Sequence, residues 1–295
     1  MKTMVIKKAP IINEDIDYID DYPDYIKDFI NKMKGKNLNN FYHNIKDIDI
    51  IPVSKKDTEL PYAAAEYNVG KNIIKYRKGY LKRNIMHELL HAASRIELMD
   101  RILCGFMQVD NDGYGIGEGL NEGYTALMDD RYFLDYDESK TEDYCKTYIM
   151  SKYICGLLDI LIGKDEMEEM YLNADLYSLF KILKNYSSPI KAYTFITDMD
   201  KLFKEADIKR IPNIRNVIIL YQKVIYYLSE CFLTKFNMLL DEKVINDYEY
   251  NKGFEFVKYL LNDPIVYFKV IKSKKMGKYI NRLEQVAINN AKSRV

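Results

Sequence analysis

The chain has 295 residues, 44 basic and 44 acidic side chains, 48% hydrophobic residues, and only 13 glycines and 7 prolines. Its hydrophobic content is too high for a disordered chain and its Gly/Pro content too low for a fibrous one, so one large or two modest domains with a sizeable core are expected. Four scattered cysteines with no CxxC pair exclude a disulfide framework and read as buried thiols in a reducing compartment.

The first residues are basic but lack the apolar run of a secretion signal. The most apolar long segment, 211–240, is broken by Arg215, Lys223, Glu230 and Lys235. A cytoplasmic protein with no membrane partner is therefore expected. Acids gather near the start (Glu14, Asp15, Asp17, Asp20, Asp21) and bases near the end (Lys272, Lys274, Lys275, Lys278, Arg282). The basic tail carries no recognisable nucleic-acid motif, so it reads as a solvated helix face, with no nucleic-acid partner.

In chain order three parts are expected: an N-terminal helix and loop segment (1–60), a mixed core (61–137) and a helical remainder (138–295). The first holds a helix near 22–34. In the second, 62–69 and 72–76 look like two short strands around a Gly70-Lys71 turn. Ile85, Leu89, Ala92, Ala93 and Ile96 then mark a helix. Residues 104–109 and 114–119 flank Asp110-Asn111-Asp112-Gly113 as a hairpin, and a helix runs from about 121 to 133. Asp110 and Asp112 evoke a calcium loop, but positions 5 and 12 of such a loop would be Tyr114 and Asn121, so turn chemistry is the better account. The glycines of 105–119 precede no Gly-Lys-Ser/Thr and form no phosphate loop. Beyond about 142 the pattern is helical: Tyr148 to Leu161 ended by Gly163, Leu176 to Leu183, and a long helix from Ile214 to Phe232. The fold class is α+β.

The chemistry lies in His87-Glu88-Leu89-Leu90-His91, which takes two of the chain's 3 histidines. Side chains four apart share one helix face, so both imidazoles can meet one zinc ion, and Glu88 can reach a water beside it as general base. The remaining histidine, His43, lies 44 residues upstream of His87, and no His-x-x-Gly-x-x-His continues the motif. A third ligand must then be a carboxylate. Glu122, 31 residues beyond His91 within Gly119-Leu120-Asn121-Glu122-Gly123-Tyr124-Thr125, opens the next helix and is the candidate. Gly123 would let the two helices approach.

On these residues the chain resembles the gluzincins, the thermolysin-like HExxH zinc metallopeptidases, and the GLNEGYT run resembles small uncharacterised bacterial HExxH proteins. The resemblance covers about 62–133. It implies a small zincin-like core, a short antiparallel sheet with the motif helix and the glutamate helix, followed by the helical domain. It also implies one zinc per chain on His87, His91 and Glu122, with Glu88 as general base acting on a peptide or protein substrate. The 62–69 strand would pair with the extended substrate. Two departures stand out. The position four after the ligand glutamate, an aspartate partner of a ligand histidine in that group, is Ala126, so Asn121, Asp129, Asp130 or a backbone carbonyl must substitute. No histidine after His91 can stabilise the oxyanion, which leaves a tyrosine or an arginine: Tyr124 first, then Tyr171. A non-catalytic zinc protein, and a regulator that cleaves one dedicated partner, are the alternatives.

Overall fold

The computed structural model describes residues 4–11, 22–54, 65–77, 81–133, 148–209 and 211–262. The acidic run at 14–21, residues 62–64 and the basic tail lie outside these. α1 (Asp24–Lys32), α2 (Asn39–Asn44) and a 3-10 turn (Ile45–Asp47) lead into β1 (Asp49–Val53). β2 (Ala65–Asn68) and β3 (Ile73–Arg77) precede α3 (Leu81–Ala93). The strands β4 (Arg95–Leu98), β5 (Arg101–Cys104), β6 (Met107–Asp110) and β7 (Gly115–Ile116) follow, then α4 (Glu118–Phe133). The described residues beyond hold only helices and turns: α5 (Ile149–Ile162), α6 (Lys164–Leu172), α7 (Leu176–Tyr186), α8 (Pro189–Phe203) with a π-helical end (Lys204–Ile208), α9 (Ile214–Asp241) and α10 (Asp247–Asn262). The fold is α+β, with two small sheets and ten α-helices among the described residues.

The predicted hairpin forms. Asn68–Ala65 pairs antiparallel with Ile73–Tyr76, and Asn72 takes the left-handed position of the turn at φ 54°. Tyr67 Oη donates to Asn72 Oδ1 at 2.7 Å, and the Asn72 amide donates to Asn44 O at 2.8 Å, which pins the turn to α2. The N-terminal segment is more than helix and loop. It supplies β1, which runs parallel to β3 and gives a mixed sheet in the order β1-β3-β2. Pro52 fits there because an edge strand has one row of N–H groups with no ladder partner.

The second sheet is an antiparallel meander, β4-β5-β6-β7. Two expectations shift in it. α3 ends at Ala93 rather than carrying on through Ile96, which lies in β4; Ser94 Oγ turns back to the carbonyls of Leu90 and His91 at 3.2 and 3.1 Å, competing with further helix. The 104–109 run is not one strand, because Gly105 turns at φ +52° and folds β5 onto β6. The Asp110 turn is as expected: Asp110 Oδ1 accepts from the N–H groups of Asp112 and Tyr114 at 3.1 and 2.9 Å.

α3 is the central helix. Ile85, Met86, Leu89, Leu90, Ala92 and Ala93 are all fully buried, and β2, β3, α1, α2 and α4 pack around it. α5 and α6 belong with this part. Arg131 of α4 pairs with Asp159 of α5 and Glu168 of α6, and Lys36 Nζ reaches the same Glu168 carboxylate at 2.5 Å. The chain divides into one compact unit of the described residues up to Leu179 with Met199–Pro212, and another of Phe180–Asp198 with the described residues from Asn213 onward. Within the second unit Phe195 stacks on Tyr227 at 4.7 Å and Phe256 meets Phe232 edge-on at 5.2 Å. α9 is long and apolar enough to cross a membrane by length and composition, and just over half of that stretch is buried in the protein.

Gly123 does allow a close helix approach, but to α5 rather than α3: a Cβ there would meet the Ser151 carbonyl carbon at 2.6 Å. Gly123→Ala is expected to destabilise the protein by about 1–3 kcal/mol. Gly156→Ala on α5, where a Cβ meets nothing within 4 Å, should instead stabilise by about 0.5–1 kcal/mol. Urea unfolding midpoints of both variants check the contrast.

Candidate metal centre

A helix buried on nearly every side still carries His87, Glu88 and His91 at 7%, 8% and 4% exposure. Such groups need partners, and the structure supplies one from the next helix. Glu122 Oε2 lies 3.4 Å from His87 Nε2, and Glu122 Oε1 lies 3.3 Å from His91 Nε2. All three donors fall within 4.8 Å of one another, and among the described residues no fourth His, Cys, Asp or Glu joins them. His43 sits in the last turn of α2 and is not part of the group.

The charges reinforce one another. Burial opposes the charge on Glu122, but His91 and His87 outweigh it and hold the carboxyl well below the ordinary range. Burial likewise opposes protonation of His91, yet Glu122 raises it, and the same balance raises His87. Glu88 points to a different partner. Burial lifts its carboxyl, the two histidines partly offset this, and the Tyr67 main-chain N–H donates to it. Tyr67 is on β2, the edge of its sheet, and its ring lies parallel to the His91 imidazole with centroids 6.4 Å apart.

Behind His91 the partner is Asn121. Its amide nitrogen is 3.2 Å from His91 Nδ1, and Thr125 Oγ1 is 3.5 Å from the same atom. Of the substitutes open in the sequence for the missing aspartate, the structure brings Asn121 there.

Two expected tyrosines lie elsewhere. Tyr124 is fully buried between Phe106 and Tyr171, and its hydroxyl donates to Asp159 Oδ1 at 3.0 Å, so it is committed to packing α4 on α5. Tyr171, also fully buried, has its hydroxyl 2.6 Å from Thr125 Oγ1, behind His91. The tyrosine in front of the centre is Tyr148, whose ring centroid is 6.0 Å from that of His87. Burial and then the charges of Glu122 and Glu88 raise its hydroxyl pKa, which keeps the phenol a proton donor. Its φ of 55° is uncommon for a tyrosine, and its ring centroid lies 5.3 Å from that of Phe203. In the sequence Tyr148 reads only as an apolar marker of α5, and nothing local distinguishes it.

No protein-family model, curated protein or solved structure matches this chain. The helix that carries Glu122 is held in place from outside. Asp200 of α8 accepts hydrogen bonds from Gly117 N and Gly119 N, both at 2.9 Å, and so caps the start of α4 from another helix. Burial, against the pull of those two N–H groups, pushes its carboxyl up to about 6 from 3.8.

A raised carboxyl favours the fold while protonated. Its contribution is fully present below about pH 4 and is lost as the pH rises through 6. The share is about 1–3 kcal/mol. Asp200→Asn should flatten the fall in urea midpoint between pH 4 and 7; an unchanged slope would exclude Asp200 as its source.

Proposed function

We propose that the protein is a zinc-dependent peptidase of the gluzincin type, built on a zincin-like core. The observation that carries this reading is that Glu122, from a separate helix, faces both imidazoles of the HExxH turn. Two imidazole nitrogens and one carboxylate are the donor set of thermolysin-type zinc centres, which leave one position open. Asn121 adds a local sign of fit: its Oδ1 is buried with no hydrogen-bond partner, and the amide, whose nitrogen now lies 3.2 Å from His91 Nδ1, would on turning over accept the proton that a metal on Nε2 leaves on Nδ1.

When bound at His87 Nε2, His91 Nε2 and Glu122, zinc supplies Lewis acidity that polarises a scissile carbonyl and makes water nucleophilic near neutral pH. The chain's own groups do the rest. Glu88, whose carboxyl burial raises above its ordinary pKa, takes the proton of the attacking water and returns it to the leaving amine. The Tyr67 N–H holds the Glu88 carboxylate in place for both transfers. Tyr148 donates its phenolic proton to the negative charge that develops on the carbonyl oxygen. The outer edge of β2 offers main-chain groups to an extended peptide. A structural zinc site has no use for a buried, positioned Glu88, which favours hydrolysis over a purely structural role.

Glu88→Gln should retain zinc at the wild-type level and lose about 10²–10⁴-fold in kcat/KM on a fluorogenic peptide library. Tyr148→Phe should lose about 10²–10³-fold in kcat with metal content unchanged. Undiminished cleavage by Glu88→Gln would sink the assignment. A zinc-loaded wild type that ignores every generic peptide would point to a dedicated protein substrate.

A further inference from the structure

We infer that Asn121, Thr125 and Tyr171 form a neutral positioning set that fixes the ring and the proton of His91 from behind. The inference rests on the proposed metal centre. Ala126 leaves no acid at the expected place on α4, and its methyl cannot accept a proton.

Around Nδ1 stand Asn121, Thr125 and, at 4.0 Å, Cys104 Sγ, whose own proton goes to the His91 carbonyl at 3.3 Å. Thr125 Oγ1 donates its one proton to the Asn121 carbonyl at 2.7 Å. It is therefore the acceptor towards Tyr171, whose hydroxyl is 2.6 Å away, and it can only accept from His91 Nδ1 at 3.5 Å. Asn121 is the direct partner, with its amide 3.2 Å from Nδ1 and its Oδ1 otherwise unsatisfied. An amide serves both states of the ring. Its nitrogen donates to a bare Nδ1 when Nε2–H faces Glu122. Turned over, its oxygen accepts from Nδ1–H when Nε2 holds a metal. A carboxylate could do only the second.

The surroundings are shaped for this set. Gly105 sits against the Asn121 side chain and the Tyr171 ring, and a Cβ there would overlap Asn121 Oδ1 and come within 2.5 Å of Tyr171 Cε2. Asn121, Thr125 and Tyr171 are all fully buried, so no water competes for their bonds. Tyr171 touches neither the metal ligands' donor atoms nor the front of the site; it acts on His91 through Thr125.

The test is zinc affinity by competition with a chromophoric chelator, on the full chain, with thermal melts of the metal-free proteins as the folding control. Loss of an outer partner of a metal-bound histidine costs 10–100-fold in affinity. Asn121→Leu should show that loss. Asn121→Asp, which keeps an acceptor at Nδ1, should restore affinity to within a few-fold of wild type or above it. Tyr171→Phe and Thr125→Val should each weaken binding several-fold. A second readout is the His91 Nδ1–H resonance of the zinc-loaded protein, expected at low field in wild type and absent in Asn121→Leu.

Wild-type affinity in folded Asn121→Leu, or equal losses in Asn121→Leu and Asn121→Asp, would overturn the inference while leaving the metal centre standing. If Asn121→Leu does not fold, wild-type affinity in both Thr125→Val and Tyr171→Phe overturns it. A wild-type protein that binds no zinc overturns the metal centre itself, and this inference with it.

Discussion

A carboxylate held between two imidazoles inside an apolar core is the constraint on which this part of the molecule depends. Glu122 can face His87 and His91 only if α4 enters alongside α3 in one register. Several unrelated contacts secure that register. Asp200 caps the first turn of α4, Gly123 lets α5 close against its side, and Arg131 ties its far end to Asp159 and Glu168. Each of these lies on a helix other than α3. The centre is therefore built by the packing of the whole first unit rather than by the HExxH turn alone.

The same constraint explains the uneven distribution of polarity. Buried charges are costly unless paired and hydrogen-bonded, yet α3 buries three ionisable side chains in one turn. The burden is shared between a front and a back. In front, Glu88 takes the Tyr67 N–H and lies beside Glu122, with Tyr148 across the His87 ring. Behind, Asn121, Thr125 and Tyr171 meet His91 without adding a charge. A divalent cation bound as proposed would balance the carboxylates at the front, and the neutral back adds no charge to theirs.

The parts legible in the sequence were those that depend on local spacing. Two histidines four apart on an apolar helix imply a shared face from residue numbers alone, and Glu122 does come to face them, although its helix opens four residues earlier, at Glu118. The Asp110 turn and the hairpin at 65–77 were legible for the same reason. The rest depends on contacts far apart in the chain. β1 carries Pro52 and no alternation, so only its pairing with β3 makes it a strand. Asp200 and Tyr148 carry no local mark of their roles. Gly123 serves a close helix approach as its residue type implies, but its neighbour is α5, because a glycine says that something approaches but not what. Tyr124 follows Glu122 too closely to share its face, and its hydroxyl turns to α5.

The central claim is that these three side chains bind one zinc ion per chain. The most direct measurement is metal content by mass spectrometry on protein purified without a histidine tag, beside Glu122→Ala. The account predicts about one zinc per wild-type chain and its loss in the variant. No zinc in either protein after reconstitution would contradict it, and would leave the HExxH turn a buried cluster with no metal to serve.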